Sequence, residues 1–225
     1  MVFSAGFDFS SADAVFAVVD SAKGVLFDRA FPFPARDASA LPMKIHEVLE
    51  DCGLLYEDIA DWSIGTGPGS FTGLRIAAAF AAGLTFRRNG IRIRGVSSAA
   101  ALAHTLYAPD QPVLTLYDGR KNEILACGLH PVDGFFREDG FRAVIRSAAD
   151  LAGAAAKYPA LACLDSDKTA LEKVCPGWGA VTGFAERIFA ATLAAWDRTD
   201  FSRKPSELTY LRPAVFVPPS VIRSV

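Results

Sequence analysis

The sequence predicts an α/β fold arranged as one large domain or two small lobes, and three observations carry this reading. Strand-like apolar runs alternate with segments of helical spacing along the chain, the pattern of sheets covered by helices. Two stretches, 2–19 and 112–129, share one design: an apolar strand closed by an aspartate, a small polar turn and a second apolar strand. The length of 225 residues suffices for a core without metal or disulfide staples, at about 150 residues per domain. The paired hairpins suggest two lobes that open alike. Two unrelated hairpins are the plainer alternative.

The elements follow in order. Val2 to Asp8 reads as a strand, Ser10-Ser11-Ala12 as a turn, and Asp13 to Val19 as the returning strand. Leu41, Ile45, Val48, Leu49 and Cys52 recur at helical spacing, and Gly53 follows as a C-cap. Ile59 to Ile64 is a short strand, Leu74 to Arg87 a helix ended by Asn89-Gly90, and Ile91 to Val96 a strand. Ser97 or Ser98 caps a helix over Ala99 to Tyr107. Pro109-Asp110-Gln111-Pro112 reads as the link to the second hairpin, whose turn is Asp118-Gly119-Arg120-Lys121-Asn122. Then come a helix near Ala148 to Lys157, a strand Ala160 to Leu164, a helix Thr169 to Val174 and a longer helix Phe184 to Trp196. The tail, Pro205 to Val225, is proline-rich and less regular.

Composition narrows the function classes. With 51% hydrophobic and 21% charged residues the chain is a folded globular protein. A net charge of −2 argues against a dedicated nucleic-acid binder. The most apolar stretch, Ile76 to Phe86, is too short to span a bilayer, which takes roughly 20 residues. No basic segment followed by a long apolar run opens the sequence, so no secretory signal is expected and the cytoplasm is the expected compartment. Cys52, Cys127, Cys163 and Cys175 form no C-x-x-C pair and are expected as buried free thiols.

Ile64-Gly65-Thr66-Gly67-Pro68-Gly69-Ser70-Phe71-Thr72-Gly73-Leu74-Arg75 carries the most information. A strand enters a glycine-rich turn that opens a helix, an arrangement that favours an anion. Neither phosphate fingerprint fits: G-x-G-x-x-G fails at Ser70 or Thr72, and no P-loop lysine is present. The helix that follows is apolar almost all round, so both its sides require cover. The second cover is either another protein or a neighbouring element of this chain. Arg87, Arg88, Arg92 and Arg94 form a local basic cluster that could meet nucleic-acid phosphates or an acidic partner. A solvated strand edge is the commoner use of such a cluster.

Gly67-Pro68-Gly69-Ser70-Phe71-Thr72-Gly73-Leu74-Arg75-Ile76 resembles the signature of the bacterial TsaB (YeaZ) family, subunits of the machinery that makes threonylcarbamoyladenosine in tRNA, once labelled glycoproteases. Gly95-Val96-Ser97-Ser98, Asp118-Gly119-Arg120-Lys121-Asn122-Glu123-Ile124 and Tyr210-Leu211-Arg212 resemble further family segments in the same order. The resemblance implies a two-lobed actin, sugar-kinase and Hsp70-like (ribonuclease H-like) fold, with an N-terminal lobe over 1–108 and a smaller C-terminal lobe over 109–225. It implies a non-catalytic partner of the catalytic TsaD paralogue and of the TsaE ATPase, a homodimer when isolated, with tRNA met only indirectly and no membrane. Ser70, Phe71, Thr72, Leu74, Arg75, Ala78, Ala81 and Thr85 are then the expected partner or dimer interface. Asp8, Ser10, Asp118 and Arg120 would belong to vestigial phosphate loops, with no intrinsic cofactor or metal. Any ATP or ADP with magnesium is expected at the partner interface.

Departures from the family pattern concentrate in the first lobe. Asp8-Phe9-Ser10 replaces the family's Asp-Thr-Ser, Ala81-Ala82-Gly83 replaces Ala-Lys-Gly, and Ala77 stands for a glycine. His46, His104 and His130 do not form the His-x-x-x-His pair with which the catalytic paralogue holds its metal. No Ser-His-Asp or Cys-His arrangement is marked by a motif. The rival reading is an autonomous small ATPase or sugar kinase of the same fold.

Overall fold

The structure, a computed structural model, describes residues 2–32, 40–196, 200, 201 and 203–210. Among the described residues, ten strands build two five-stranded sheets. The first half contributes β1 (Phe3–Asp8), β2 (Asp13–Asp20), β3 (Gly24–Pro32), α1 (Leu41–Asp51), β4 (Ile59–Gly65), α2 (Phe71–Thr85), β5 (Arg92–Val96) and α3 (Ser98–Leu106). The second contributes β6 (Val113–Asp118), β7 (Ile124–Val132), β8 (Phe135–Ile145), α4 (Ala148–Ala155), β9 (Ala160–Leu164), α5 (Lys168–Val174), β10 (Gly183–Ala185) and α6 (Ala190–Ala194).

The sheets run β3-β2-β1-β4-β5 and β10-β9-β6-β7-β8. Counted from each sheet's own first strand, both have the order 3-2-1-4-5. In both, the first three strands pair antiparallel and the fourth and fifth join parallel. The two look-alike hairpins therefore open two copies of one topology. The molecule is two mixed α/β lobes that repeat one topology.

Side-chain alternation along β1 explains the layering. Ala5 and Phe7 point to one face, where they meet Phe16 and Val18 of β2, Ile45 and Leu49 of α1, and Ala77 and Ala81 of α2. Gly6 points to the other face, and a Cβ there would lie 2.6 Å from both the Ala190 carbonyl and the Ala194 nitrogen of α6. Helix α6 thus crosses directly over β1. Helix α3 instead packs against β6, β8, β9 and β10. The last helix of each half covers the other half's sheet, so α3 and α6 form a middle layer shared by both lobes, with Leu102, Phe136, Leu193 and Trp196 in its core. A third apolar cluster joins the second sheet to α4 and α5.

Three differences from the sequence reading have local causes. The helix expected from Leu74 starts at Phe71, because the Ser70 hydroxyl accepts the Gly73 N–H and caps it. The long helix expected over Phe184 to Trp196 is divided. Residues 183–185 extend the second sheet beside β9, and only Ala190–Ala194 is helical, its Ala191 N–H capped by the Asp28 carboxylate at 2.9 Å. The sequence pattern sets no bounds for the strand before the Leu41 helix, here β3, and gives no sign of β8, because both are half-exposed edge strands carrying Asp28, Arg29, Arg137, Glu138 and Arg142. Leu211 and Arg212 of the Tyr-Leu-Arg segment lie outside the described residues.

Candidate functional site: the inter-lobe cleft and the outer face of α2

A cleft of about 560 Å³ opens where the two hairpin turns face each other. Ser10, Ser11 and Ala12 line it from the first lobe, Asp118, Gly119 and Arg120 from the second. Pro68, Gly69 and Ser70 of the signature turn, Ser166, Asp167 and Tyr210 complete it.

Both aspartates close a first strand and make the same turn. The Asp8 carboxylate accepts the Ser10 N–H at 2.6 Å, and that of Asp118 accepts the Arg120 N–H at 2.7 Å. Their second oxygens differ. That of Asp8 accepts the Ser98 hydroxyl at 2.5 Å, and Ser98 in turn accepts the Gly67 N–H at 2.9 Å. Asp8 is fully buried, and burial raises its carboxyl above the usual range, with Ser10 and Ser98 partly opposing. Asp118 instead pairs at 3.0 Å with an Arg120 side chain that is 86% exposed. The Asp118 N–H donates to Asp167, whose own carboxyl is raised by burial.

The signature turn is fixed by close approach. Its Ser70 N–H donates to the Ser10 carbonyl at 2.6 Å. Gly67 has φ +96°, and a Cβ there would meet the Thr209 carbonyl at 2.6 Å. Only glycine fits. Beyond the turn, α2 presents two faces. Leu74, Ala77, Ala81 and Leu84 are buried against the first sheet, whereas Phe71, Thr72, Arg75, Ala79, Ala82, Gly83 and Thr85 are exposed.

This divides the expected interface. Ser70, Phe71, Thr72, Arg75 and Thr85 are open, Ala78 is half-buried on the flank, and Leu74 and Ala81 are core. Leu74 and Ala81 are therefore unavailable to a partner, because sheet packing claims that face of the helix. The open face carries Phe71 with Arg75 stacked over it at 4.1 Å, and Phe86 lies 70% exposed just past the helix end. A shallow groove of about 380 Å³ runs beside it between Tyr56, Ala79, Phe80, Gly83 and Arg88. Of the two covers weighed for this helix, its own chain supplies the sheet side and, at Phe71, the Tyr210 ring, while Ala79, Ala82 and Gly83 stay exposed.

The basic cluster does not form one surface. Arg92 makes a two-pronged bond to Asp61 at 2.7 and 2.8 Å. Arg94 is buried, donating to the Ser63 hydroxyl and the Trp196 carbonyl, each at 2.8 Å. The Phe201 ring lies against both guanidiniums. Arg88 pairs with Glu57 at 3.4 Å. The expected solvated edge is thus covered at Arg94 by the returning chain.

The histidines stand apart. His104 accepts the Phe136 N–H at 3.1 Å amid Phe135, Phe136 and Trp196, and burial, aided by Arg137, lowers it to about 4. It is a neutral core acceptor. Among the described residues no group of three or more histidine, cysteine or acidic side chains comes close enough to hold a metal ion. Cys127, Cys163 and Cys175 are buried free thiols, and burial pushes Cys127 up to about 12. Cys52 is half-buried. No helix among the described residues is long and apolar enough to cross a membrane.

Comparison with known proteins places this arrangement. The family described as "TsaD: tRNA N6-adenosine threonylcarbamoyltransferase" matches residues 36–172, more than half of the chain. The tRNA threonylcarbamoyladenosine biosynthesis protein TsaB of Haemophilus influenzae is 36% identical over 86 residues, covering 37% of this chain and 36% of that protein. TsaB of Bacillus subtilis is 31% identical over 80 residues, 36% and 34% of the two chains. The matched segment thus spans about a third of the length of these curated relatives. A solved protein described as similar to peptidase YeaZ from Pseudomonas aeruginosa superposes with TM-score 0.55 at 26% identity, over 64% of this chain and 66% of that one. YeaZ from Pseudomonas aeruginosa itself gives TM-score 0.53 at 24% identity, over 64% and 67%, a likeness of fold. Profile, signature and duplicated topology agree: the chain belongs to the TsaD family, in its TsaB/YeaZ branch.

Proposed function

We propose that this protein is a binding subunit, without chemistry of its own, of the assembly that makes threonylcarbamoyladenosine at position 37 of tRNA. The observation that carries the reading is the outer face of α2, where Phe71, Ala79, Ala82 and Gly83 lie open beside the exposed Phe86. An apolar helix face of this kind is costly to leave in water, and small residues allow a second backbone to approach. The partner proposed is the catalytic TsaD paralogue, which shares the fold and would dock in a pseudo-twofold manner. In its absence a second copy of this chain would cover the same patch. The TsaE ATPase would join the pair, ATP or ADP with magnesium would sit at the partner interface, and tRNA would be met only through the complex. The burial of Asp8 supports the non-catalytic part, since its carboxylate is spent on Ser10 and Ser98.

Two experiments test this. Depletion of the protein should lower threonylcarbamoyladenosine in bulk tRNA by nucleoside mass spectrometry, and an unchanged level would contradict the assignment. Ala79→Glu should leave a folded protein that neither self-associates nor binds the TsaD paralogue. Ala81→Glu, which buries an unpaired charge against the sheet, should fail to fold. Light scattering and circular dichroism separate the outcomes, and a folded, still dimeric Ala79→Glu protein would refute the docking face. The half-buried Ala78→Glu should fall between the two.

A further inference from the structure

We infer that residues 203–210 form a latch between the two lobes, with Arg203 as its bolt, and that this latch sets the geometry of the signature turn and of the α2 face beyond it. The last step rests on the proposed docking role of α2; the latch itself does not.

Arg203 touches both lobes at once. Its carbonyl accepts the Gly95 N–H of β5, at the edge of the first sheet, at 2.7 Å. Its guanidinium donates to Glu138 of β8, in the second sheet, at 3.3 Å. The same guanidinium donates to the Thr209 hydroxyl at 2.5 Å and the Glu207 carbonyl at 3.2 Å, which folds the segment back on itself. The ion pair is largely shielded, at 27% and 14% side-chain exposure, so it is less screened than a surface pair. Burial alone would raise the Glu138 carboxyl; hydrogen bonds from Ser97, Arg142 and Arg203 and the nearby Arg203 charge outweigh it and hold it below the usual range.

From Arg203 the segment runs into the signature. The buried Thr209 donates its N–H to the Thr66 carbonyl at 2.7 Å. Two glycines of the resemblance motifs owe their lack of a side chain to this passage. A Cβ on Gly95 would meet the Lys204 carbonyl at 2.8 Å, and one on Gly67 the Thr209 carbonyl at 2.6 Å. The next residue, Tyr210, packs its ring at a tilt, centroid 5.0 Å from that of Phe71, the first residue of α2, and also lines the cleft. A continuous path thus leads from Glu138 in the second lobe through Arg203, Thr209 and the Thr66-Gly67 backbone to Phe71. Movement of one lobe against the other has to break this path or drag the turn with it.

Hydrogen exchange read by mass spectrometry on the full chain tests the latch, using Arg203→Met, which keeps the apolar stem and removes the charge. Exchange at Gly95, Thr209 and the Gly67–Phe71 turn should accelerate about tenfold or more while β1 and β6 keep their protection. Unchanged exchange at these amides, or uniform acceleration across the molecule, would overturn the latch. Should Arg203→Met not fold, Glu138→Gln should give the same pattern more weakly, and its absence there would count equally against the latch. The swap Arg203→Glu with Glu138→Arg should restore protection that Arg203→Glu alone loses. Faster local exchange with intact self-association leaves the latch standing and breaks its link to docking. Lost association with unaltered exchange overturns the latch.

Discussion

The two lobes repeat one topology and one aspartate turn, yet they treat the aspartate in opposite ways. In the first lobe Asp8 is enclosed by Ser98 and by Gly65, where a Cβ would collide with the carboxylate. In the second, Asp118 borders the open cleft and pairs with an exposed arginine. Duplication supplies the same local turn twice; the neighbours decide whether the carboxylate holds the fold together or stays free to meet solvent. In the first lobe the carboxylate is an internal tie between the first hairpin, the signature turn and α3.

That contrast can be broken at its glycines first. Gly65→Ala should cost about 2–3 kcal/mol or prevent folding, since neither the buried carboxylate nor the backbone has room to yield. Gly119→Ala, beside Asp118, brings its Cβ to 2.9 Å from the Glu123 carbonyl, so the exposed turn backbone has to shift, a milder clash than that at Gly65, and the loss should be about 1–2 kcal/mol. Urea unfolding of both variants measures the difference. Removing the carboxylates comes next. Asp8→Ala leaves a buried hydroxyl and a buried N–H without an acceptor and should lose about 2 kcal/mol. Asp118→Ala should lose about 1 kcal/mol or less, because its pair is solvated. Equal losses would show that the difference in burial has no energetic consequence.

Acid sharpens the comparison further. His104 titrates near 6.5 when unfolded and near 4 when folded, so between those values the unfolded chain binds more protons and stability falls as pH drops. The full shift corresponds to about 3 kcal/mol by pH 4; solvent reaching the half-buried ring screens it to an expected loss of about 2 kcal/mol, and His104→Gln, which keeps an acceptor for the Phe136 N–H, should flatten it. Asp8 has the opposite sign. Its carboxyl is raised in the fold, so its contribution is greatest below 3.8 and declines as pH rises through the folded value; Asp8→Asn should remove that slope. The smallest effect expected is Arg120→Ala, within about 0.5 kcal/mol in the same unfolding assay, because an exposed ion pair is weak.

Much of this molecule is legible residue by residue. The spacing of Leu41, Ile45, Val48 and Leu49 marks α1, and those four side chains are buried. The paired hairpins mark a repeated topology, and the Gly67 to Ile76 signature marks the family and the helix that carries the open face. These features are local, set by backbone periodicity, turn chemistry and caps within a few residues. What only the tertiary structure decided depends on partners far along the chain. Asp8 is enclosed by a serine 90 residues away, and Arg94 turns inward to a carbonyl 102 residues away. Residues 183–185 join a sheet edge instead of a helix because β9 offers its free backbone there. Which side of α2 meets the sheet, and so which side stays open, is undetermined by a helix apolar all round: the sequence supplies no polar stripe to orient it, and packing against Phe7, Phe16 and Trp62 makes the choice.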